Sequence, residues 1–187
     1  VAEIQRKQAV LGLNGRLTVQ QCSFTNLDEV QAGPFESVFS NFGGLNCIAD
    51  LTAVTKHLPR LLQPNGVLTW VIMPPICPWE LLLTVKDWRV GTRRLRRGGV
   101  TAHVEGVPLQ TYYFTPRQVR QALGSEFKLL ELTALSLLTP TADNKTFARR
   151  YAQLYKGLVW LDERVSVWPL LNQMGDFFIL TARYEPH

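Results

Sequence analysis

The sequence from Phe35 to Met73 reads FESVFSNFGGLNCIADLTAVTKHLPRLLQPNGVLTWVIM, and its pattern determines the fold that we predict. Phe35 to Phe39 has the pattern of a short strand, and the loop Asn41 to Gly44 interrupts it. Apolar residues then recur at helical spacing from Leu51 to Leu62. Val67 to Met73 is an apolar run of strand length, as expected for a buried parallel strand. This order of strand, helix and strand predicts a parallel sheet flanked by helices.

The helix in the middle of this unit has recognisable limits. Asp50 can cap its first turn. Pro59 is expected to kink the helix or to shorten its regular part. Residues 63–66, Gln-Pro-Asn-Gly, have strong turn chemistry and are expected to end it before the second strand.

The flanking sequence adds further helices and strands to this unit. The predicted elements are, in chain order, a helix over 3–11, a strand over 17–21, a helix over 79–90, a hairpin of 100–104 and 107–114, a helix that begins at Thr115, a strand over 127–133, a long helix over 144–165 and a final strand over 176–184. Thr115 is followed by Pro116 and Gln118, which is typical of a helix start. We expect one α/β domain over residues 1–187, with residues 79–114 as an inserted cap.

Length and composition narrow the class of protein. The 187 residues are 46% hydrophobic, which is enough for one domain with a real core. No apolar run reaches the roughly 18 residues that a membrane-spanning helix needs. The three cysteines, Cys22, Cys47 and Cys77, are odd in number and lack C-x-x-C spacing, so we expect neither a disulfide framework nor a metal site. A reducing compartment, the cytoplasm, is the expected location.

The basic charge of the chain is local. The net charge is +5, and the patch from Lys86 to Arg97 contains six basic residues against one acid, Asp87. Three interpretations are open: a solvated helix end, recognition of an anionic substrate or headgroup, and contact with nucleic acid. Trp88 is the only aromatic residue in the patch, so nucleic acid is the least favoured partner.

The order and spacing of these elements resemble those of class I S-adenosylmethionine (SAM)-dependent methyltransferases. Phe35 to Asn46 resembles the fourth strand and following loop of that family. Residues 51–66 resemble the helix and Pro-x-Gly turn before its fifth strand. Leu17 to Phe24 looks like its third strand and adenine-side loop, and the strands over 127–133 and 176–184 look like its sixth and seventh. The resemblance implies a Rossmann-like doubly wound sheet of the seven-strand type, with its first strands missing and its last strand antiparallel.

Two motifs of the family are absent from this sequence. It contains no G-x-G loop, and Gly43-Gly44 and Gly98-Gly99 do not replace one. The acidic residue that ends the family's second strand and holds the ribose hydroxyls is also missing. We expect both features to lie upstream of Val1. In the adenine-side loop, Ser23 stands where the family often has an acid, and a serine hydrogen bond to adenine is weaker than a carboxylate bond.

Ligands of open parallel sheets bind beyond the carboxyl ends of the strands. This rule selects seven candidate cofactor-binding residues: Cys22, Ser23, Phe24, Asn41, Phe42, Gly43 and Asn46. By resemblance, Ser23 and Phe24 would lie beside the adenine of SAM. Asn41 and Phe42 would lie near its methionine end. Ordinary roles are the alternatives: core packing for both phenylalanines, a loop cap for Asn41, and relief of backbone strain for Gly43.

The resemblance implies substrate contacts after the family's fifth strand and in the cap. The candidate substrate-binding residues are Trp79, Tyr112 and Tyr113. If the two tyrosines lie in a strand they face opposite sides, so at most one faces the pocket. His103 is the candidate catalytic base, and a place on the hairpin without a catalytic role is the alternative.

The function that these features predict is SAM-dependent methylation of a small molecule. The sulfonium already activates the methyl group, so the enzyme's main work is to align the nucleophile and exclude water. The rival interpretation is a non-catalytic Rossmann-like binding or scaffold module that has lost the cofactor. A nicotinamide-dependent oxidoreductase fits less well, because nothing in the sequence resembles its fingerprint.

Overall fold

A computed structural model of the chain describes residues 1–13, 15–85, 87–96, 98–104, 106–141, 144 and 146–187, without the side chains of Leu83, Val90, His103 and Val104. The helices are α1 (Ala2–Val10), α2 (Thr52–Thr55), α3 (Leu58–Leu61), α4 (Pro78–Leu82), α5 (Trp88–Gly91), α6 (Pro116–Leu123), α7 (Phe147–Arg150) and α8 (Ala152–Val165). The strands are β1 (Phe35–Ser40), β2 (Leu62–Ile72), β3 (Val100–Val104), β4 (Val107–Thr111), β5 (Phe127–Leu135) and β6 (Phe177–Tyr184).

Four strands form the main sheet in the order β1-β2-β6-β5. β1 and β2 are parallel, and β6 runs antiparallel to both β2 and β5. The predicted antiparallel last strand is confirmed, and it lies between two earlier strands. The predicted hairpin forms as a separate pair, β3 and β4. The described residues thus give a mixed α/β fold with six strands, and the seven-strand arrangement is not observed among them.

The predicted strand over 17–21 is wrong. These residues form irregular chain that is held by side-chain hydrogen bonds instead of by pairing with a strand. Gln8 Nε2 donates to the Leu17 carbonyl at 2.7 Å, and Gln20 Nε2 donates to the Glu29 carbonyl at 2.7 Å. A strand needs a neighbour along its edge to satisfy its backbone, and no strand of the described chain pairs with this segment.

Three predicted helices are each divided into shorter ones. The helix over 79–90 becomes α4 and α5, and Lys86 between them lies outside the described residues. The helix over 51–62 becomes α2 and α3, with Pro59 in the first turn of α3. Proline explains this break, since Pro59 has no N–H to donate to the Thr55 carbonyl one turn earlier. The helix over 144–165 becomes α7 and α8, which meet at Tyr151, whose φ of −127° and ψ of 51° are not helical.

The predicted turn over 63–66 lies inside β2 as an irregularity. The register between β1 and β2 moves from the pair Phe35–Leu62 to the pair Ser37–Val67. A Cβ on Gly66 would lie 2.8 Å from the Gln63 carbonyl oxygen, so only glycine fits without movement of the backbone. The extra residues therefore bulge out of the strand, as at a β-bulge.

The main core lies on one face of this sheet. β2 contributes Leu68, Trp70 and Ile72, and β6 contributes Phe178 and Leu180, all of them buried. The helical residues packed against them are Val54 of α2, Leu58 of α3, and Val119 and Leu123 of α6. The alternate strand residues, such as Thr69 and Thr181, are only half-buried on the opposite face. Of the helices that the structure describes, none has the length and apolar character to cross a membrane.

We predict that Leu180→Ala lowers the free energy of unfolding by about 2–5 kcal/mol, because it leaves a cavity in the central strand of the sheet. Leu154→Ala on α8 is the matched control, since Leu154 is exposed, and its effect should stay within about 0.5 kcal/mol. Urea denaturation of the two variants measures both values. Equal losses would show that the core is not where the structure has it.

Candidate functional site

Four chain segments meet at the carboxyl ends of β1 and β2. Residues 41–47 follow β1, and residues 73–77 follow β2. Because β6 is antiparallel, its first residues lie beside the end of β2, with Ile72 paired to Phe178. The chain also returns here from β4, where Tyr112 N donates to the Asn46 carbonyl at 2.7 Å. We call this region the carboxyl edge.

Asn46 joins three of these segments through its side chain. It is 0% exposed. Its Oδ1 accepts from Met73 N at 2.9 Å, and its Nδ2 donates to the carbonyls of Met73 at 3.1 Å and Tyr112 at 2.6 Å. Both amide hydrogens and the amide oxygen thus have partners within the chain. The arrangement gives Asn46 a part in building the site, and a direct contact with a cofactor stays a prediction.

The loop after β1 requires glycine at position 43. Gly43 has a φ of +66°, and its N–H donates to the Val71 carbonyl at 3.1 Å. A Cβ here would lie 3.0 Å from Asn46 Oδ1 and 3.2 Å from the Phe177 ring. Left-handed backbone and close neighbours together exclude larger residues. This supports the structural alternative for Gly43 and places its backbone tightly against β2 and β6.

Phe42 and Asn41 lie on the outer side of the same loop. Phe42 has a φ of +50° and is 81% exposed, so it does not pack in the core. A bulky residue rarely adopts this backbone conformation without a compensating interaction. Part of the compensation is local, because Asn41 Oδ1 accepts a hydrogen bond from Phe42 N at 2.8 Å. Asn41 therefore does cap the loop, as its alternative interpretation holds.

The predicted adenine-side loop touches the loop after β1. The Phe24 ring lies 3.3 Å from the position that a Cβ on Gly44 would take, and 41% of Phe24 is exposed. Ser23 Oγ accepts from Thr25 N at 3.3 Å and caps the short helical turn Phe24–Glu29. Cys22 Sγ donates to the Asn26 carbonyl at 2.9 Å. The structure thus brings the two predicted cofactor loops together at Phe24 and Gly44, although residues 17–21 are not a strand.

The candidate substrate-binding residues lie in different parts of the structure. Trp79 Nε1 donates to the Leu138 carbonyl at 2.6 Å, and its ring meets Phe147 edge to face. Tyr112 packs against the main core, whereas the Tyr113 ring lies against the guanidinium of Arg94 at 5.3 Å. The two tyrosines follow β4 rather than lie within it. The backbone of His103 is in β3, paired with Pro108, and its side chain lies outside the described part of the structure.

An ionic cluster of Glu80, Arg93, Arg94 and Asp176, in which Glu80 and Arg94 are buried, ties the segment 80–94 of the predicted insert to the carboxyl edge. Arg94 is 5% exposed and donates to Glu80 Oε1 at 2.6 Å and to Asp176 Oδ1 at 2.7 Å. Arg93 forms a two-point pair with the same Glu80, at 2.8 and 2.9 Å. Glu80 belongs to α4, and Asp176 directly precedes β6. Arg94 therefore holds the insert against the start of the central antiparallel strand.

The charges in this cluster stabilise one another. Burial by itself would raise the pKa of the Glu80 carboxyl, but hydrogen bonds from Arg93 and Arg94 lower it below its ordinary value. Burial would lower the pKa of the Arg94 guanidinium, and its bonds to Glu80 outweigh that and raise it. Burial also raises the pKa of the neighbouring Tyr113 hydroxyl. Cys77 Sγ and the carboxylates of Glu80 and Asp176 lie within 4.8 Å of one another, but Arg93 and Arg94 together already balance the charges of the two acids.

The interpretation of the basic patch from Lys86 to Arg97 as a solvated helix end needs correction at two residues. Arg93 and Arg94 turn inward to acids that the sequence places 13 to 82 residues away. Arg89 and Arg96 are exposed, and Lys86 and Arg97 lie outside the described residues. One sequence signal pointed to this cluster. Glu80 stands in an apolar segment of the sequence, and an acid that is buried in such a segment needs a charged or hydrogen-bonding partner.

Two hollows occur away from the carboxyl edge. One, of about 610 Å³, lies at the end of α6 beside Arg117, Arg120 and Phe127. Since Phe127 pairs with Tyr184 at the end of β6, this hollow is at the opposite edge of the sheet. The other, of about 300 Å³, lies between α8 and the strands β5 and β6, lined by Tyr155 and Ile179 among others. Neither is lined by a candidate cofactor or substrate residue.

We predict that Arg94→Gln lowers the free energy of unfolding by about 3–5 kcal/mol, because it leaves the Asp176 carboxylate without its cation and the buried Glu80 carboxylate with Arg93 alone. Arg89→Gln, in the same patch but exposed, should change it by less than about 0.5 kcal/mol. Chemical denaturation at neutral pH compares the two. Should Arg94→Gln be as stable as the control, the cluster does not hold the insert in place.

Comparisons with known proteins agree with the fold. No protein-family model and no curated protein matches the chain. Among solved structures it is similar to a SAM-dependent methyltransferase from Listeria monocytogenes, with a TM-score of 0.56, 13% identity, and coverage of 95% of this chain and 75% of that one. It is also similar to the [4+2]-cyclase SpnF, with a TM-score of 0.53, 17% identity, and coverage of 100% and 63%. A SAM-dependent methyltransferase from Methanosarcina mazei has a TM-score of 0.50, 15% identity, and coverage of 88% and 66%. The chain thus spans 63% to 75% of these structures and shares the α/β Rossmann-like fold of SAM-dependent methyltransferases.

Proposed function

We propose that this chain is part of a SAM-dependent methyltransferase that acts on a small molecule. The observation that carries the proposal is the position of the Phe24 ring beside Gly44 of the loop after β1, at the carboxyl edge of a sheet similar to those of solved methyltransferases. In open sheets of this kind, ligands bind beyond the carboxyl ends of parallel strands. The two loops that the sequence predicts for the cofactor are neighbours at that edge.

The exposed rings at this edge favour an adenosyl ligand. Phe24 and Phe42 present apolar faces to solvent, and stacking a base on such a face contributes about 1–3 kcal/mol. Phe24 and Ser23 would contact adenine, and Asn41 and Phe42 would lie towards the methionine end. An aromatic face near the sulfonium also attracts its positive charge. Cys22 and Asn46 would shape the pocket from behind, through the backbone bonds that their side chains make.

The reaction would be an in-line displacement at the methyl carbon. A lone pair of the substrate forms the new bond to carbon as the carbon–sulfur bond breaks, and S-adenosylhomocysteine leaves with the electron pair of that bond. The chain's own task is to align the two partners and to exclude water. Trp79 and Tyr113 would border the substrate on the insert side, and His103 is the candidate base for an oxygen nucleophile.

The proposal includes a glycine-rich loop and a ribose-binding acid that these 187 residues do not contain. Support comes from β1, whose outer edge has no partner strand in the described chain. Phe39 of this strand is 63% exposed, and an uncovered strand edge with exposed apolar residues favours pairing with another strand. A strand that pairs there parallel to β1 would end at the carboxyl edge, where a following glycine-rich loop could reach the cofactor.

A second candidate is that the chain belongs to a protein of the same fold that does not catalyse methyl transfer. It is favoured by the similarity to SpnF, which is described as a [4+2]-cyclase. A non-catalytic binding module belongs to the same alternative. The presence of Ser23 where methyltransferases often have an acid is compatible with either function.

We predict that the 187-residue chain alone binds SAM weakly, and that a form extended at its N-terminus to include the missing motifs binds about 10 to 100 times more tightly. The acid's charge-assisted hydrogen bond, about 1.5–3 kcal/mol, accounts for that factor. Isothermal titration calorimetry on both forms measures it. Low-micromolar binding by the short chain would contradict the need for the missing motifs, and no binding by either form would contradict the proposed cofactor.

A matched pair of variants locates the site in whichever form binds. Phe24→Ala should weaken SAM binding by about tenfold through loss of base stacking. Phe35→Ala, at a similarly exposed phenylalanine, should leave the affinity unchanged.

A further inference from the structure

The segment Ser23–Val30 has few means of holding its own shape. None of the residues in its helical turn is fully buried, Leu27 alone packs against the main core, and Asn26 breaks the turn with a φ of −120° and a ψ of 37°. Its internal bonds are short-range and exposed, for example from Asn26 Nδ2 to Glu29 Oε1 at 2.9 Å. Segments with exposed hydrogen bonds and little apolar burial open readily. A defined position for Phe24 therefore depends on the one apolar contact of Leu27 and on hydrogen bonds from elsewhere in the chain.

Arg60 supplies two such bonds from the helical layer. Its Nη1 donates to the Val30 carbonyl at 3.0 Å, and its Nη2 donates to the Leu27 carbonyl at 2.5 Å. These carbonyls are three residues apart at the end of the turn. A guanidinium can bond both because its N–H groups form a planar fork, whereas a lysine ammonium is a single point on a flexible stem. Gln20 adds a bond to the Glu29 carbonyl from the preceding chain.

Arg60 is attached to a rigid part of the molecule. Its neighbours in α3, Leu58 and Leu61, are buried, and α3 leads directly into β2 of the main sheet. From the same pair of helices, the His57 ring approaches Asp28, with Nε2 at 3.9 Å from Oδ1, and its side chain is only 14% exposed. Arg60 of α3 and His57, which lies between α2 and α3, thus both face the Ser23–Val30 segment. Well-supported residues of this kind fix a functional group more precisely than a loop does.

We propose that Arg60 is a positioning residue that fixes the Ser23–Val30 segment so that the Phe24 ring stays against the loop after β1. This rests on the proposed SAM function, because the cofactor's adenine is what Phe24 would meet. Arg60 itself touches no cofactor atom and acts through the carbonyls of Leu27 and Val30. Loss of the guanidinium leaves the main core intact and loosens the segment.

The test compares Arg60→Gln with Arg120→Gln, an exposed arginine of α6 that lies at the opposite edge of the sheet. Hydrogen–deuterium exchange of residues 24–30 reads the anchoring directly and needs no ligand. The two bonds are exposed, so solvent screening reduces their contribution, and their loss should speed exchange there by about tenfold, with β2 and β6 unchanged. Arg60→Lys, which keeps the charge and can bond one carbonyl at a time, should fall between wild type and Arg60→Gln.

Calorimetry on the form of the chain that binds SAM measures how each variant changes the affinity for the cofactor. Arg60→Gln should weaken binding several-fold, and Arg120→Gln should not. Unchanged exchange over 24–30 would overturn the anchoring role, and faster exchange with unchanged SAM affinity would overturn the link to the cofactor. If wild type binds no SAM in any form, the proposed function fails, and the exchange experiment still decides whether Arg60 anchors the segment.

Discussion

The side-chain amide of Asn46 is the interaction on which the geometry of the carboxyl edge depends. It bonds backbone groups of Met73 and Tyr112 from a fully buried position, so it joins the loop after β1 to the end of β2 and to the chain returning from β4. Buried polar groups of this kind are costly unless all are paired. Removal of this one amide would leave unpaired backbone at the place where the candidate cofactor loops meet.

The other irregular parts of the edge are also held by polar bonds, in addition to apolar contacts of Leu27 and Tyr112 with the main core. Arg94 bonds the insert to Asp176 at the start of β6, and Arg60 bonds the adenine-side segment to α3. Loops cannot bury a continuous apolar face, so their positions must come from specific donors and acceptors. The sheet provides the rigid frame, and these side chains set where the loops lie on it.

Sequence reasoning succeeded where one local pattern determined the structure. The apolar run in β2 and the capping box at Thr115 were both predicted and are present. It failed where the structure depends on partners that are distant in sequence. Residues 17–21 alternate like a strand, but no strand of the described chain pairs with them. Arg94 lies in the basic patch of the sequence, and its acidic partners, Glu80 and Asp176, are 14 and 82 residues away. For the site, the sequence identified the loops at Phe24 and Gly43, but the roles of Asn46 and Arg60 depend on contacts over 27 to 66 residues, which no spacing rule reveals.

A crystal structure with bound S-adenosylhomocysteine tests the central claim most directly, namely that the carboxyl edge of β1 and β2 is the cofactor site. We expect density for adenine against Phe24 and Gly44, with the amino-acid end of the ligand towards Asn41 and Phe42. Density at the hollow beside Arg117 and Arg120, or between α8 and β5, would contradict it.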